Sequence, residues 1–127
     1  MIVNPSSAKI SQALSVLYES AAKLQSLSIA GGYAEQYRLS DGQAYGEALS
    51  WPLAPGEIWV QPDGTPAAGT SFLGAYAATG DAAFLAAATT VGQALAAAQN
   101  PNGGWNFTHQ SRGDADPVST LDDLVTP

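Results

Sequence analysis

Two helix-forming runs in this chain end on the same stop. Gly31-Gly32-Tyr33 follows the first run and Gly103-Gly104-Trp105 follows an alanine-rich one, 72 residues apart. Four residues past each aromatic comes another ring, Tyr37 or His109. Paired glycines cost a helix roughly 1 kcal/mol each relative to alanine, and they free the backbone to turn sharply. The chain must therefore reverse abruptly at both points. A helix, a Gly-Gly-aromatic turn and a connection to the next helix form a repeating unit, and such internal echoes constrain the fold more than composition does.

The helices between these stops carry clear signals. Ser6 or Ser7 can cap a helix whose apolar positions, Ile10, Leu14, Leu17, Ala21 and Leu24, follow the three-and-four spacing of one buried face. Thr65-Pro66 reads as a cap followed by a favoured first helical residue, opening a helix over 66–78 around Phe72, Leu73 and Tyr76. Gly80 ends it and Asp81 caps the next, which carries Phe84, Ala88, Val91 and Leu95 on one stripe and fades at Gln99-Asn100. Ser119-Thr120-Leu121-Asp122-Asp123 has a capping-box form and predicts the start of a fourth helix. Residues 33–64 hold Gly42, Gly46, Pro52, Pro55, Gly56, Pro62 and Gly64, too much punctuation for a long helix, and read as one irregular excursion. The expectation is a single all-α domain over 1–127, a partial α/α toroid of antiparallel hairpins. Tracing the directions puts both Gly-Gly-aromatic turns on one rim with the amino end of the 66–78 helix. A helix begun at Ser119 near the end of the chain implies further carboxy-terminal helices as its partners.

Charge narrows the function classes. Eleven acidic residues against four basic ones leave a formal charge of -7, which argues against a nucleic-acid backbone as partner. No apolar run reaches membrane-spanning length, so no membrane role is expected. With no cysteine, thiolate chemistry and disulfides are excluded.

The stretches PGEIWVQPDGTPAAGTSFLGAYAATGD (55–81), NGGWNF (102–107) and STLDD (119–123) resemble the amino-terminal part of bacterial α/α-toroid proteins of the pectic acid lyase (pectate lyase) type. Gln99 to Trp105 also matches the Gln-x-x-x-Gly-x-Trp signature of triterpene cyclases, in which the glutamine closes a helix end over the tryptophan. The first copy has Leu27 where Gln99 stands, and no intact Asp-x-Asp-Asp motif occurs. The lyase resemblance implies an extracellular or periplasmic protein that cleaves or binds an anionic polysaccharide, a uronic-acid polymer, by β-elimination. A base removes the proton beside the carboxylate, and Ca²⁺ or another cation neutralises the carboxylate charge. The other two readings are a non-catalytic helical-repeat module and a cyclase-like toroid.

For such chemistry the rim offers His109, which titrates near neutral pH, with Arg38 and Arg112 as charge partners. Tyr33, Trp59 and Trp105 are candidate sugar-stacking surfaces, with Gln61 beside them as a substrate-binding amide. Asp114, Asp116, Asp122 and Asp123, with Asp63, are the oxygen donors a hard cation such as Ca²⁺ would take. Each has a plainer role: Tyr33, Trp105 and Phe107 as plugs over helix ends, Arg38 and Arg112 as partners of local carboxylates, Asp122 and Asp123 as first-turn acids.

Overall fold

A computed structural model of the chain describes residues 4–110. Three helices lie where the apolar spacing places them: α1 (Ser7–Ser26), α2 (Thr65–Thr79) and α3 (Ala82–Ala98). Ser6 caps α1 by accepting the Lys9 N–H at 3.3 Å, and Asp81 caps α3 by accepting the Ala83 N–H at 2.9 Å. Gly80 between α2 and α3 is left-handed, φ 68°, a geometry that costs glycine nothing. Thr65 is the first residue of α2 and Gly64 its cap; the Thr65 hydroxyl is used elsewhere.

The antiparallel α2–α3 hairpin buries Ala68, Phe72 and Ala75 against Phe84, Ala87 and Val91. Small residues set the spacing: a β-carbon on Gly69 would lie 3.0 Å from Val91 Cγ1. Helix α1 adds Leu17, Ala21 and Leu24 to this core without burying any residue fully. Its Tyr18 packs on Phe84, ring centroids 5.2 Å apart, and donates a 2.8 Å hydrogen bond to Asp81, so the cap of α3 also holds α1.

The all-α class, and with it the partial α/α toroid, is overturned. Residues 33–64 contain β1 (Gln36–Tyr37), β2 (Ala44–Gly46), β3 (Trp51–Pro52) and β4 (Glu57–Trp59), and β5 (Thr108–Gln110) follows the second Gly-Gly stop. Strands β1-β2-β3 form one antiparallel sheet and β4-β5 another, giving a mixed α/β domain of three helices and two small sheets among the described residues. The reason is physical. A strand of two or three residues is too short to display an alternating pattern, and β4 pairs with a segment about 50 residues away, which no local signal reports. Pro52 fits because β3 is a sheet edge, where a missing N–H is tolerated. The fourth helix expected from Ser119 lies outside the described residues.

Both Gly-Gly turns do reach one end of the helical hairpin. At the first, the Tyr33 N–H donates to Thr65 Oγ1 and that hydroxyl donates back to the Tyr33 carbonyl, both at 3.0 Å. The same carbonyl accepts the Trp59 N–H at 2.9 Å. At the second, Gln99 Nε2 donates to Gly103 O at 2.7 Å and Trp105 Nε1 to Leu95 O at 2.8 Å, closing the end of α3.

Candidate functional site

The expected stacking rings lie mostly inside. Trp59 is fully buried and Tyr33 is buried against the helices. Trp59 is enclosed by Gly46, by Phe107 stacked at 5.9 Å, and by Trp51 meeting it edge-on at 5.3 Å. Its indole N–H is buried with no hydrogen-bond partner among the described residues. Trp105 is half-buried and bonded to the last turn of α3, and Gln61 is half-buried just beyond β4. The three rings belong to different hydrophobic clusters, Tyr33 on the helical hairpin, Trp105 beside Ile58 and Ala98, and Trp59 with Ala34 and Leu53, and Trp59 and Tyr33 present no open ring face.

The charged candidates are separate. His109 stands on β5 opposite Ile58, where burial lowers its pKa by disfavouring the imidazolium. Arg38 follows β1 in the β1–β2 hairpin, its Nε donating to Asp41 Oδ1 at 2.8 Å and its Nη2 paired with Oδ2. This bidentate pair, with the Gln43 N–H bonded to the same carboxylate, holds the Asp41 pKa down to about 2. No hydrogen bond or ion pair joins Arg38 to His109 among the described residues. Arg112, Asp114, Asp116, Asp122 and Asp123 lie outside the described residues. Among those described there is no group of three or more His, Asp or Glu placed to hold a metal ion, so the fit of Ca²⁺ rests on the undescribed aspartates.

The structure instead exposes a site on the outer face of the three-stranded sheet. Residues opposed in register share a face, so Gln36, Tyr45 and Pro52 point one way. Tyr37, Ala44, Gly46 and Trp51 point toward the Trp59 cluster. Arg38, two residues beyond Gln36, returns to the outer face, its guanidinium carbon 5.6 Å from the Tyr45 ring centroid. Gln36, Tyr37, Arg38, Tyr45 and Leu49 line a groove of about 360 Å³ there. An amide, a guanidinium and a phenol ring in one groove can hydrogen-bond hydroxyl and carbonyl oxygens while an aromatic face meets C–H groups. Trp51, 41% exposed, adds an open ring at the adjoining sheet edge.

Of these residues only Arg38 was singled out by sequence reasoning. The available signal was Asp41-Gly42 between two short runs, Gln36-Tyr37-Arg38 and Gln43-Ala44-Tyr45, a pattern that marks the reversal but, as a two-residue turn, would set Arg38 and not Gln36 across from Tyr45. Among the described residues no helix is long and apolar enough to cross a membrane. Comparison with protein-family models, curated proteins and solved structures finds no match.

Proposed function

We propose that this chain recognises a uronic-acid polysaccharide of the pectate type, as a saccharide-binding part of a lyase-like protein acting outside the cytoplasm. The observation that carries the reading is the Gln36–Arg38–Tyr45 groove, where a guanidinium held over an aromatic ring stands beside an amide. A sugar needs this combination: directional donors for its oxygens and a ring for its apolar face. The similarity of 55–81 and 102–107 to pectic acid lyases points to the same ligand class. Arg38 serves a carboxyl-derived oxygen better than a plain hydroxyl, which favours uronates over neutral glucans. Binding is the better supported half of the reading, because His109, the candidate base, lies apart from Arg38 on the other sheet. Ca²⁺, through Asp114, Asp116, Asp122 and Asp123, would serve to bridge a free carboxylate to an acidic protein.

Calorimetric titration of the full chain with galacturonate and cello-oligosaccharides of equal length, with Ca²⁺ and with chelator, tests this. Tighter galacturonate binding that Tyr45→Ala and Arg38→Ala both weaken is the expected result. Equal affinity for the two sugars, or variants that bind like the parent, would remove it and leave the non-catalytic structural module.

A further inference from the structure

Arg38 is the one cation lining the groove, and its direction is set before any ligand arrives. Its Nε donates to Asp41 Oδ1 at 2.8 Å and its Nη2 pairs with Oδ2, so one side of the guanidinium is taken by a fork. The carboxylate is itself fixed. Asp41 Oδ1 also accepts the Gln43 N–H at 3.0 Å, across Gly42, whose φ of 74° suits the reversal there. The Arg38 N–H donates to Gln43 O at 2.9 Å, and the Gly42 N–H to Arg38 O at 2.8 Å. The β1–β2 turn therefore sets Asp41, and Asp41 sets Arg38. Tyr45, its ring centroid 5.6 Å from Cζ, is the other described group that acts on the guanidinium.

The fork uses the Nε side and leaves the terminal edge, where one N–H of Nη1 and one of Nη2 run parallel at the spacing of the two oxygens of a carboxylate. Asp41 does not line the groove; it lines a separate recess with Gly42, Gln43 and Ala44. The two side chains are each half-exposed, so their pairing adds little to stability. What the fork supplies is direction. A free arginine gives up rotamers when it binds, whereas one already held has given them up in folding.

We infer that Asp41 is a positioning residue of this groove: it holds Arg38 so that the Nη1–Nη2 edge receives the uronate carboxylate end-on, through two parallel hydrogen bonds. The inference rests on the uronic-acid reading above and names how the sugar's carboxylate is held. Two accounts of Asp41 differ in sign. As a neighbouring negative charge alone it would repel the sugar, and removing the charge would tighten binding. As a positioning group its loss weakens binding. Asp41→Asn keeps the shape and an acceptor for the Gln43 N–H but breaks the fork, because an amide nitrogen cannot accept from Nη2. Oligogalacturonate titrated calorimetrically into the full chain, with chelator at fixed ionic strength, should bind this variant about two- to tenfold more weakly than the parent, the worth of one long side chain left to be ordered. The circular dichroism spectrum should not change. In an Arg38→Lys background, which has no fork to hold, adding Asp41→Asn should instead tighten binding. In the ligand-free protein the Arg38 Nε–H should give a sharp, slowly exchanging NMR resonance that Asp41→Asn broadens. Equal or tighter binding by Asp41→Asn, an equal loss in the Arg38→Lys background, or an unaltered Nε–H resonance would overturn the inference; a parent that still prefers galacturonate to cello-oligosaccharide then keeps the uronic-acid reading standing. A parent that binds both sugars alike removes the reading and the inference together.

Discussion

Adding one methyl group at Gly46 should do more damage than adding the same group at Gly74, and the two changes should have opposite signs. A β-carbon at Gly46 would stand 2.2 Å from Trp59 Cε3 and 2.3 Å from Cδ2. Carbon atoms pack at ~3.5–4.0 Å, so the indole would have to retreat by roughly 1.5 Å. It has no room, because Phe107 is stacked 5.9 Å away and Trp51 abuts its edge. Overfilling a packed core costs ~1–3 kcal/mol, and the rigid ring on both sides puts Gly46→Ala near ~3 kcal/mol. At Gly74, inside α2, an added β-carbon meets nothing within 4 Å. There the change removes helix-disfavouring backbone freedom and should stabilise by ~0.5–1 kcal/mol. Urea denaturation followed by tryptophan fluorescence and helical circular dichroism reads both as midpoint shifts at constant slope. For a domain of this size the Gly46 variant should also melt lower by at least ~10 °C. A Gly46→Ala variant as stable as the parent would refute the claim that Trp59 is clamped between the sheet and Phe107.

Asp41 should titrate near 2 by carboxyl NMR, and in Arg38→Ala its inflection should move up toward 3.8. Because its folded pKa is depressed, order in the β1–β2 hairpin that depends on the pair is complete above about pH 4 and fades as pH falls toward 2. His109 also has a lowered folded pKa, so its contribution to stability is complete above its unfolded value near 6.5 and declines as pH drops through the folded one. In His109→Gln the midpoint of urea unfolding should lose that dependence between pH 7 and pH 5, and an unchanged slope would count against burial as the cause. Thr65→Val should cost ~1–3 kcal/mol by leaving the buried Tyr33 N–H unpaired, and Thr65→Ser much less; a near-neutral Thr65→Val beside a costly Thr65→Ser would mean that the methyl, not the hydroxyl, matters.

The helices were legible because their information is local. Ser6 and Asp81 at the caps, Gly80 at the reversal and the spacing of Leu17, Ala21 and Leu24 all lie within a turn or two of what they specify. Gln99 acts within the second stop itself, its side-chain amide donating to Gly103 O four residues on. The sheets were not legible, because Glu57–Trp59 finds its partner at Thr108–Gln110 and β3 holds two residues, one of them proline. Site reasoning went astray for a related cause. Trp59 and Tyr33 were weighed as rings on a rim, but Trp59 is shut in by Gly46, Trp51 and Phe107 and Tyr33 packs on the helical hairpin, so both are core, while Tyr45 stays half-buried and Trp51 exposed. Arg38 was found by its charge alone; that it shares a face with Gln36 and Tyr45 follows from a register no single residue announces.

The carbonyl of Tyr33 receives both the Thr65 hydroxyl and the Trp59 amide, while the Tyr33 N–H is spent on the same hydroxyl. The backbone of one residue thereby joins the first turn of α2, the strand β4 and the Gly-Gly reversal after α1. Opening any one of these strands buried polar groups belonging to the other two, so the helical hairpin and the β4–β5 ribbon lack an inexpensive way to melt separately. The Tyr33 amide should then exchange with solvent only when the whole unit comes apart, at the same rate as amides in the middle of α3. The repeated stop that looks like punctuation in the sequence is, at its first occurrence, the joint through which the domain behaves as one body.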